Sequence, residues 1–511
     1  MADLIADYLK ARGPALSTSI AQHLATTLKI SPAAARQRVS RVQGQVKKLA
    51  YVTFPRGARF MYLQGQFGSA QYWGRLVDAL LQANSAFGLA IASLVQRNGF
   101  MPQAHFEIAC GAPVKQAKHL SPDNIFKRLN EAGLVEEISV PGLGPCIALV
   151  QAAGHYDSRA AEVRVRLITE SLLLTAVRDW VRKLGLVSYD KVASRDDGNR
   201  PMVGTFAWDL TAPSYLGFLV KRGAEGAPKP GFFACDIYLG GSVSVQGVRP
   251  FINKCKTLRQ LRNVAPCMVM FIAHEYTPEA FELLKTNGII PATPRNLFGD
   301  EVGLGLVELS SVLKTAADYS IDPVRFDDLF KKFGRIEGAA YQLRGTLFEY
   351  LAADIVRKTI SAQVRMNRIF RSNDGQKSAE ADVYAVRDDR AVTFIECKGH
   401  SPYGTVPDQE MKRWLQHNTP VIYEAARAHP DWKNLEIRFE FWSTAPLSPD
   451  AVDMFLKAKD AIKPTRYTLE LRLADDLWKI CQATMDSGLA TAFQKHFMRY
   501  DAKVAAEAKL S

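Results

Sequence analysis

Two carboxylates and a lysine lie in a stretch of sequence whose pattern predicts a β-hairpin. Asp382 belongs to an apolar, β-rich run, and a second such run ends in Glu396-Cys397-Lys398 after the charged stretch 387–390, which is a hairpin pattern. A three-residue loop would set Asp382 opposite Glu396, whereas a two-residue loop would place them on different faces, so we infer the longer loop. Residues two apart in a strand share a face. We therefore expect both carboxylates and the Lys398 ammonium group to converge on one point.

Such a group of side chains can hold a hard divalent cation beside a water molecule. Carboxylate oxygens suit Mg²⁺, which keeps several waters and bridges carboxylates to a phosphate. A bound metal lowers the pKa of its water and polarises a phosphoryl oxygen, so we expect hydrolytic chemistry. The alternative is an exposed edge hairpin with a solvated charged face. The nearly apolar run Val392–Cys397 favours a buried central strand, where charged groups are costly unless they are paired or metal-bound.

At these residues the chain resembles the PD-(D/E)xK nuclease superfamily, which includes restriction endonucleases and Holliday-junction resolvases. Asp382 and Glu396-x-Lys398 match the motif, with Ala381 where the family name has proline. The helix-like stretch 344–351 supplies an acidic residue, Glu349, upstream of the hairpin. Downstream, 439–451 has the pattern of a strand, a turn and a capped helix, an order similar to the Mrr-type restriction branch. The resemblance covers roughly 341–456.

The resemblance implies a Mg²⁺-dependent DNA endonuclease, with Mn²⁺ as an alternative metal. Asp382 and Glu396 are then the metal ligands, and the carbonyl of Cys397 is a third. Lys398 would orient the attacking water and stabilise the charge of the transition state. Glu349 would bind a second metal or position the water shell of the first. The expected catalytic set is therefore Glu349, Asp382, Glu396 and Lys398.

Two further polar residues follow the motif. His400 lies in the predicted loop after Lys398, where it could read a base or position water, but we interpret it as a loop residue. Gln409 lies in a helix-like stretch, 408–414, at a place where some relatives carry a functional glutamine, and its role is left open.

Positive charge is concentrated at the N-terminus. The formal net charge of the 511 residues is +13, which favours a polyanionic partner. Residues 1–67 hold ten Lys or Arg against two acids, a net +8, whereas 68–150 are neutral with six of each. We expect DNA to bind this basic segment, through residues of a predicted helix and of the segment after it: Arg36, Arg38, Arg41, Lys47, Lys48, Arg56 and Arg59.

The basic segment has the pattern of a winged helix-turn-helix. Helices are predicted up to residue 28 and from Ser31-Pro32 onward, where serine is a cap and proline stands at the first helical position. Tyr51–Phe54 and 59–63 are then predicted as the two strands of a wing. In such a domain the second helix of the motif enters the major groove. The alternative is a winged helix that docks protein, and the charge favours nucleic acid.

A second copy of this pattern is predicted in 68–155. Ser121-Pro122 repeats the helix start, and strands are predicted around 133–138 and 145–149. Because this copy is neutral and carries Glu136 and Glu137 beside its wing, we interpret it as a packing or dimerisation module.

The region 156–318 parallels the predicted nuclease in the order and spacing of its elements. Asp209 falls near the place of Asp382, and Ala234-Cys235-Asp236 aligns with Glu396-Cys397-Lys398. We interpret the region as a second nuclease-like fold that has lost E-x-K and cannot hold metal in the same way. The alternative is an unrelated α/β spacer, and a different strand order in its sheet would contradict our interpretation.

Composition sets broader limits. An apolar content of 47% with 23% charged residues is ordinary for globular domains. Seven scattered cysteines without CxxC spacing argue against a zinc ribbon or a disulfide framework and fit a reducing cytoplasm. We expect neither a signal peptide nor a membrane span, and no GxxxxGK[ST] sequence indicates a P-loop.

The predicted fold class is multidomain α/β plus α+β, with two winged-helix domains followed by two restriction-endonuclease-like domains, the first degenerate. The predicted domains are 1–67, 68–155, 156–318 and 319–511. One active site cuts one strand, so a double-strand break calls for a homodimer or two sequential nicks. The alternatives are a DNA-binding regulator or scaffold with a silent nuclease fold, and a nuclease for RNA or branched DNA. A role in restriction or phage defence is an analogy from fold.

Overall fold

The chain folds as a mixed α/β protein with several separate sheets. It divides into two units, Met1–Val140 with Pro145–Arg159 and Trp180–Leu297, and Pro141–Gly144 with Ala160–Asp179 and Phe298–Ser511. This division differs from the four predicted domains, because the helical segments at both ends of 156–318 group with the second unit. The computed structural model describes residues 2–83, 85–140, 142–150, 156–198, 200–222, 228–318, 325–333, 339–388 and 390–499.

The N-terminal region has three helices and a small sheet, as the sequence predicts. Ser31 Oγ accepts a hydrogen bond from the Ala34 N–H at 3.2 Å, which caps the third helix. The predicted strand at Tyr51–Phe54 is wrong, because Tyr51 has a left-handed φ of +64°. The elements are α1 (Ala2–Arg12), β1 (Ala15–Leu16), α2 (Ser17–Leu28), α3 (Pro32–Arg41), β2 (Val46–Lys48) and β3 (Phe60–Leu63), with strand order β1-β3-β2.

After one additional helix at its start, the next region repeats this arrangement of a helix, a short strand, two helices and two strands. Ser121 Oγ caps its last helix by accepting the Asn124 N–H. Its elements are α4 (Ala70–Ala83), α5 (Ala86–Gln96), β4 (Phe100–Pro102), α6 (Gln103–Ala109), α7 (Pro122–Glu131), β5 (Val135–Val140) and β6 (Gly144–Leu149), with strand order β4-β6-β5.

Among the described residues, no single helix is long and apolar enough to cross a bilayer; α4 and α5 reach that length and composition only together, as a pair bent by 116°.

The middle region contains a five-stranded sheet of order β15-β14-β13-β10-β7. Its elements are α8 (Tyr156–Lys183), β7 (Ala193–Ser194), β8 (Met202–Val203), β9 (Phe206–Ala207), β10 (Leu210–Ser214), β11 (Lys221–Arg222), β12 (Pro228–Lys229), β13 (Gly231–Val243), α9 (Val245–Arg259), β14 (Cys267–Tyr276), α10 (Pro278–Thr286), β15 (Ile290–Ala292), α11 (Pro294–Phe298) and α12 (Asp300–Asp318).

The C-terminal region contains a second five-stranded sheet, of order β16-β17-β18-β19-β20. A single π-helical turn, Trp414–Asn418, joins two of its helices. Its elements are α13 (Phe326–Phe333), α14 (Ala339–Thr359), β16 (Val364–Arg371), β17 (Ser378–Arg387), β18 (Ala391–Lys398), α15 (Asp408–Arg413), α16 (Thr419–Ala428), β19 (Glu436–Ser443), α17 (Pro449–Ala461), β20 (Thr468–Arg472), α18 (Ala474–Ala483) and α19 (Ser487–Phe497).

The two five-stranded sheets share one strand order and one pattern of directions. In each sheet the first three strands in sequence are antiparallel neighbours, and the last two are added in parallel. Helices α9 and α10 follow the third and fourth strands of the middle sheet, as α15–α16 and α17 do in the other. The strand order of the middle sheet is therefore consistent with the predicted similarity of the two regions.

The helical periodicity of 477–505 predicts one helix, but α18 and α19 are separate, and Asp486 caps the second by accepting the Leu489 N–H at 3.0 Å. The sequence also predicts a charged helical stretch over 322–335 and a fraying Ala/Lys tail at the C-terminus. Residues 322–324, 334–335 and 500–511 of these segments lie outside the described residues.

Candidate functional site

The predicted hairpin is confirmed, with its three-residue loop. Strand β17 pairs antiparallel with β18, and the register sets Arg387 opposite Ala391 and Val383 opposite Ile395. Continued by one residue, this register sets Asp382 opposite Glu396. The loop spans 388–390, of which Asp389 lies outside the described residues, and Asp388 has a left-handed φ of +46°. The hairpin therefore brings together the acidic residues of the two strands.

Strand β18 lies in the middle of the sheet and is buried. It pairs with β17 on one side and with β19 on the other, and its residues from Ala391 to Cys397 are buried. Apolar and aromatic side chains hold it there, including Phe394, whose ring lies 5.3 Å from that of Phe439. The interpretation as a solvated edge hairpin is therefore wrong.

Each motif residue has a protein partner. Asp382 Oδ2 accepts the backbone N–H of Cys397 at 2.7 Å, across the hairpin. Glu396, only 8% exposed, has its Oε1 2.8 Å from Lys398 Nζ, and its Oε2 accepts a hydrogen bond from Asn418 Nδ2 at 3.2 Å. Asp382, Glu396 and Lys398 thus form one cluster of two carboxylates and one ammonium group.

Helix α14 brings the fourth predicted residue, Glu349, to this cluster. A Cβ atom on Gly399, just after β18, would lie 2.6 Å from Phe348 Cβ and 2.9 Å from the Arg344 carbonyl oxygen. The end of the strand therefore packs directly on the helix, and this close approach requires glycine.

The negative charges in this cluster affect each other. Burial and the charges of Glu380 and Glu396 together raise the pKa of Glu349 to about 7, against the lowering effect of Lys398 and Arg164. Burial, Glu396 and Glu349 likewise raise the pKa of Asp382 well above its usual value, while Lys398 lowers it. These effects show that the carboxylates are close together in a poorly solvated place, where like charges disfavour ionisation.

Lys398 is the cation that the cluster already contains. Burial by itself would lower the pKa of its ammonium group, but Glu396 and Asp382 raise it, and the net direction is upward. Lys398 is therefore charged at neutral pH, with its positive charge directed at the carboxylates.

The donor set fits a hard cation in its chemistry but does not form a metal cage in this arrangement. Carboxylate oxygens are the ligands that Mg²⁺ takes from proteins. Both Glu396 oxygens and one Asp382 oxygen instead accept hydrogen bonds or an ion pair from the chain. Within the described residues, no group of three or more His, Cys, Asp or Glu side chains is placed to hold a metal ion. An ion bound to Glu396 would bring its positive charge next to the ammonium group of Lys398.

Two polar residues outside the predicted set, Asn418 and Glu410, contact the cluster, and a third, His400, contacts Glu410. Asn418 stands at the end of the π turn, a feature that is frequent at functional sites. Glu410 Oε2, on α15, lies 3.5 Å from Lys398 Nζ. His400, predicted as a loop residue, does lie in a loop, but its Nε2 is 3.2 Å from Glu410 Oε1 and its Nδ1 is hydrogen-bonded to Tyr341 Oη. Gln409, beside Glu410, is exposed.

The seven predicted DNA-contacting residues are all exposed. Three arginines lie on α3, two lysines on β2, and two arginines in the segment between β2 and β3. One of them, Lys48, also donates a hydrogen bond to the Ser40 carbonyl oxygen at 2.6 Å. The N-terminal region therefore presents an exposed cationic surface, defined by Arg36, Arg38, Arg41, Lys47, Lys48, Arg56 and Arg59.

The middle sheet contains a counterpart of the carboxylate pair, but two residues away from the predicted alignment. Leu210 pairs with Cys235, so the next step sets Asp209 opposite Asp236. Asp209 Oδ2 accepts the Ile237 N–H at 2.7 Å, which is the relation that Asp382 has to Cys397. The alignment of Ala234 with Glu396 is therefore wrong: Asp236 takes the place of Glu396, and Tyr238 stands where Lys398 would be.

A lysine from another element neutralises this buried pair. Lys254 Nζ, on α9, lies 2.5 Å from Asp236 Oδ2 and 2.7 Å from the Ala207 carbonyl oxygen. Arg195 Nη1 lies 2.8 Å from Asp209 Oδ1. Lys254 is only 1% exposed, and both carboxylates of this buried pair, Asp209 and Asp236, are matched by a cation of the chain itself.

Comparison of the chain with protein-family models, with curated proteins and with solved structures finds no match.

Proposed function

We propose that the chain is a metal-dependent endonuclease that hydrolyses DNA phosphodiester bonds at the cluster of Asp382, Glu396, Lys398 and Glu349. The observation that carries this proposal is the end of β18, where Glu396 and Lys398 share a face and Asp382 meets them across the hairpin. Two acids and a lysine on buried strands are costly to keep unless they do chemistry or are fully neutralised.

The donors suit Mg²⁺ or Mn²⁺. Asp382 and Glu396 would hold the ion, with the carbonyl of Cys397 and, through water, Glu349. When bound, the ion supplies an acidified water and charge neutralisation on the phosphoryl group. The raised pKa values of Glu349 and Asp382 support this assignment, because a divalent cation would offset the burial and the repulsion that cause them.

Lys398 has the position and the charge for the transition-state role. Its ammonium group lies between Glu396 and Glu410, beside the carboxylate that would hold the metal. An ammonium group directed at developing negative charge stabilises the transition state and orients the attacking water.

The cationic surface of the N-terminal region is the proposed DNA contact. Its elements have the order of a winged helix, with α3 as the recognition helix and β2–β3 as the wing, so Arg36, Arg38 and Arg41 would enter the major groove. The neutral second copy is proposed as a packing or dimerisation module. The shared strand order of the two large sheets supports two restriction-endonuclease-like folds, of which the middle one is degenerate because Lys254 and Arg195 neutralise its carboxylates.

The test is cleavage of supercoiled plasmid by the full chain with Mg²⁺, with Mn²⁺ and with EDTA. Lys398→Ala and Glu396→Ala are expected to reduce nicking by about 10²–10³-fold, the usual effect of losing one transition-state contact, while DNA binding is retained. Lys479→Ala, which changes an exposed lysine of α18, is the matched control and should cut normally.

Two results would contradict the proposal. Full activity in Lys398→Ala would place the active site elsewhere. Metal-independent DNA binding without cleavage, on plasmid, branched DNA and RNA alike, would favour the scaffold with a silent nuclease fold, in which the Glu396–Lys398 pair serves only stability.

A further inference from the structure

We propose that Glu410 is a positioning residue that takes over the ammonium group of Lys398 when a divalent cation binds Glu396. This inference rests on the proposed function. It concerns how the cluster changes from the arrangement seen in the structure, where Lys398 neutralises Glu396, to one in which Glu396 binds an ion.

The first step is that Glu396 has no unused oxygen. Lys398 Nζ lies 2.8 Å from Oε1, and Asn418 donates to Oε2 at 3.2 Å. Asn418 is a neutral donor that can stay when an ion arrives, but the charges of an ammonium group and of a divalent cation on the same oxygen repel each other. We therefore infer that Lys398 moves off Oε1 when Glu396 becomes a ligand.

The second step is that Lys398 needs another anion. Its side chain is only 20% exposed, so an ammonium group left without a partner there would carry a large desolvation cost. Of the ion pairs that the described residues make with Lys398, the other one is with Glu410, whose Oε2 is 3.5 Å from Nζ. That distance is longer than a charged hydrogen bond, and a small shift of Nζ away from Glu396 would close it.

The third step is that Glu410 is held in place to receive the lysine. His400 Nε2 lies 3.2 Å from its Oε1 and 3.3 Å from its Oε2, so the imidazole contacts both oxygens and holds the carboxylate beside Lys398. His400 is itself fixed, because Tyr341 Oη bonds its Nδ1 and Thr444 Oγ1 donates to its carbonyl oxygen at 2.7 Å. Tyr341, His400 and Glu410 thus form a chain of contacts that ends at the lysine.

The middle sheet lacks such a receiving group. Lys254 pairs with Asp236, and its other polar partners among the described residues are the carbonyl oxygens of Ala207 and Ile108. The neighbouring carboxylate, Asp209, is already paired with Arg195, so Lys254 stays on Asp236. The two clusters therefore differ in that Glu410 offers Lys398 a second carboxylate within 3.5 Å.

The test is Mn²⁺ binding to the full chain by calorimetry, which does not depend on cleavage. Glu410→Gln keeps the shape but removes the receiving charge, so Mn²⁺ affinity should fall about tenfold, and more Mg²⁺ should restore cleavage. In a Lys398→Ala background, Glu410→Gln should change the Mn²⁺ affinity less than about twofold, because no lysine then competes for Glu396. Glu282→Gln, in an exposed Glu–Lys pair of α10, is the matched control.

Each remaining result bears on the inference. Equal Mn²⁺ affinity in Glu410→Gln and the unchanged chain would overturn it while cleavage by the unchanged chain upholds the proposed function. A tenfold loss that persists in the Lys398→Ala background would also overturn it, because Glu410 would then act only as a nearby charge. If the unchanged chain neither binds Mn²⁺ nor cuts, both proposals fail. If Glu410→Gln does not fold, Glu410→Asp replaces it. Its shorter carboxylate does not reach the ammonium group, so the Mn²⁺ affinity should fall about tenfold here too, and an unchanged affinity would overturn the inference.

Discussion

Replacing Lys254 by methionine should destabilise the middle sheet severely. The ammonium group is 1% exposed and lies 2.5 Å from Asp236 Oδ2, so its loss leaves Asp236, 4% exposed, as a buried anion beside Asp209. Breaking a buried pair in this way costs about 3–5 kcal/mol. The same change should also remove the contact of the Lys254 ammonium group with the Trp208 ring, 4.0 Å away.

Hydrogen exchange gives the local readout that this prediction needs, because the chain has two units and global unfolding is unsuited to a two-state treatment. The amide of Ile237, which donates to Asp209, should exchange about two to three orders of magnitude faster in Lys254→Met. Adding Asp236→Asn should restore most of the protection, since the buried charge is then gone. Lys256→Met, an exposed lysine on the same helix, is the control.

Unchanged exchange at Ile237 in Lys254→Met would refute the reasoning, because it would mean that the buried pair contributes nothing beyond what a methionine provides. Failure of Asp236→Asn to restore protection would show that packing around Lys254, and not charge, determines the loss.

Three other predictions concern separate parts of the chain. Gly399→Ala should lower the free energy of unfolding by about 1–3 kcal/mol and reduce cleavage, because its Cβ would meet Phe348 and the backbone of α14. Gly345→Ala is the control and should be tolerated, because its Cβ would meet nothing within 4 Å. Equal melting temperatures of the two variants would contradict this prediction. Hydrogen bonds from Lys358 and from the Leu489 amide lower the pKa of Asp486, so its carboxylate stabilises the fold above its unfolded pKa, and acid removes that contribution below about pH 4. Asp486→Ala should therefore cost about 1 kcal/mol at pH 7 and less at pH 3, as measured by thermal melts. An equal cost at both pH values would count against this prediction. Replacing Arg36, Arg38 and Arg41 with alanine should lower the slope of log K against log salt for DNA binding by about one unit per lost phosphate contact; an unchanged slope would mean that α3 faces protein.

The hairpin could be predicted because residues that are close in sequence determine it. Two apolar runs, a three-residue loop and the two-residue period of a strand together determine which side chains share a face, so the positions of Asp382, Glu396 and Lys398 followed from the sequence. The contacts of Glu410 and Asn418 could not be predicted in the same way. Both belong to helices reached through the loop after Lys398, and their distances to the strand depend on helix packing and on a π turn that no local pattern marks.

The errors have equally particular causes. Val52 and Phe54 are buried while Tyr51 and Thr53 are exposed, so an irregular segment imitates the alternation of a strand. In the middle region, the order and spacing of the elements align Asp236 with Lys398. The pairing of Leu210 with Cys235 instead puts Asp236 two residues earlier, in the place of Glu396. This pairing is a contact between strands that are distant in sequence, so the local pattern does not reveal it. Lys254 lies on a helix beyond that strand, and nothing in its own neighbourhood of the sequence indicates that it is buried.

Lys254 also makes the neutralisation of Asp236 independent of the ions in solution. An ion taken from solution binds only to the extent that its concentration allows, but an amine attached to the chain is present at a fixed effective concentration. Chelators, or a cell short of magnesium, therefore cannot remove the charge that Asp236 needs. The stability of that sheet should be the same in EDTA and in millimolar Mg²⁺, which gives every metal titration of this protein a reference within the same molecule.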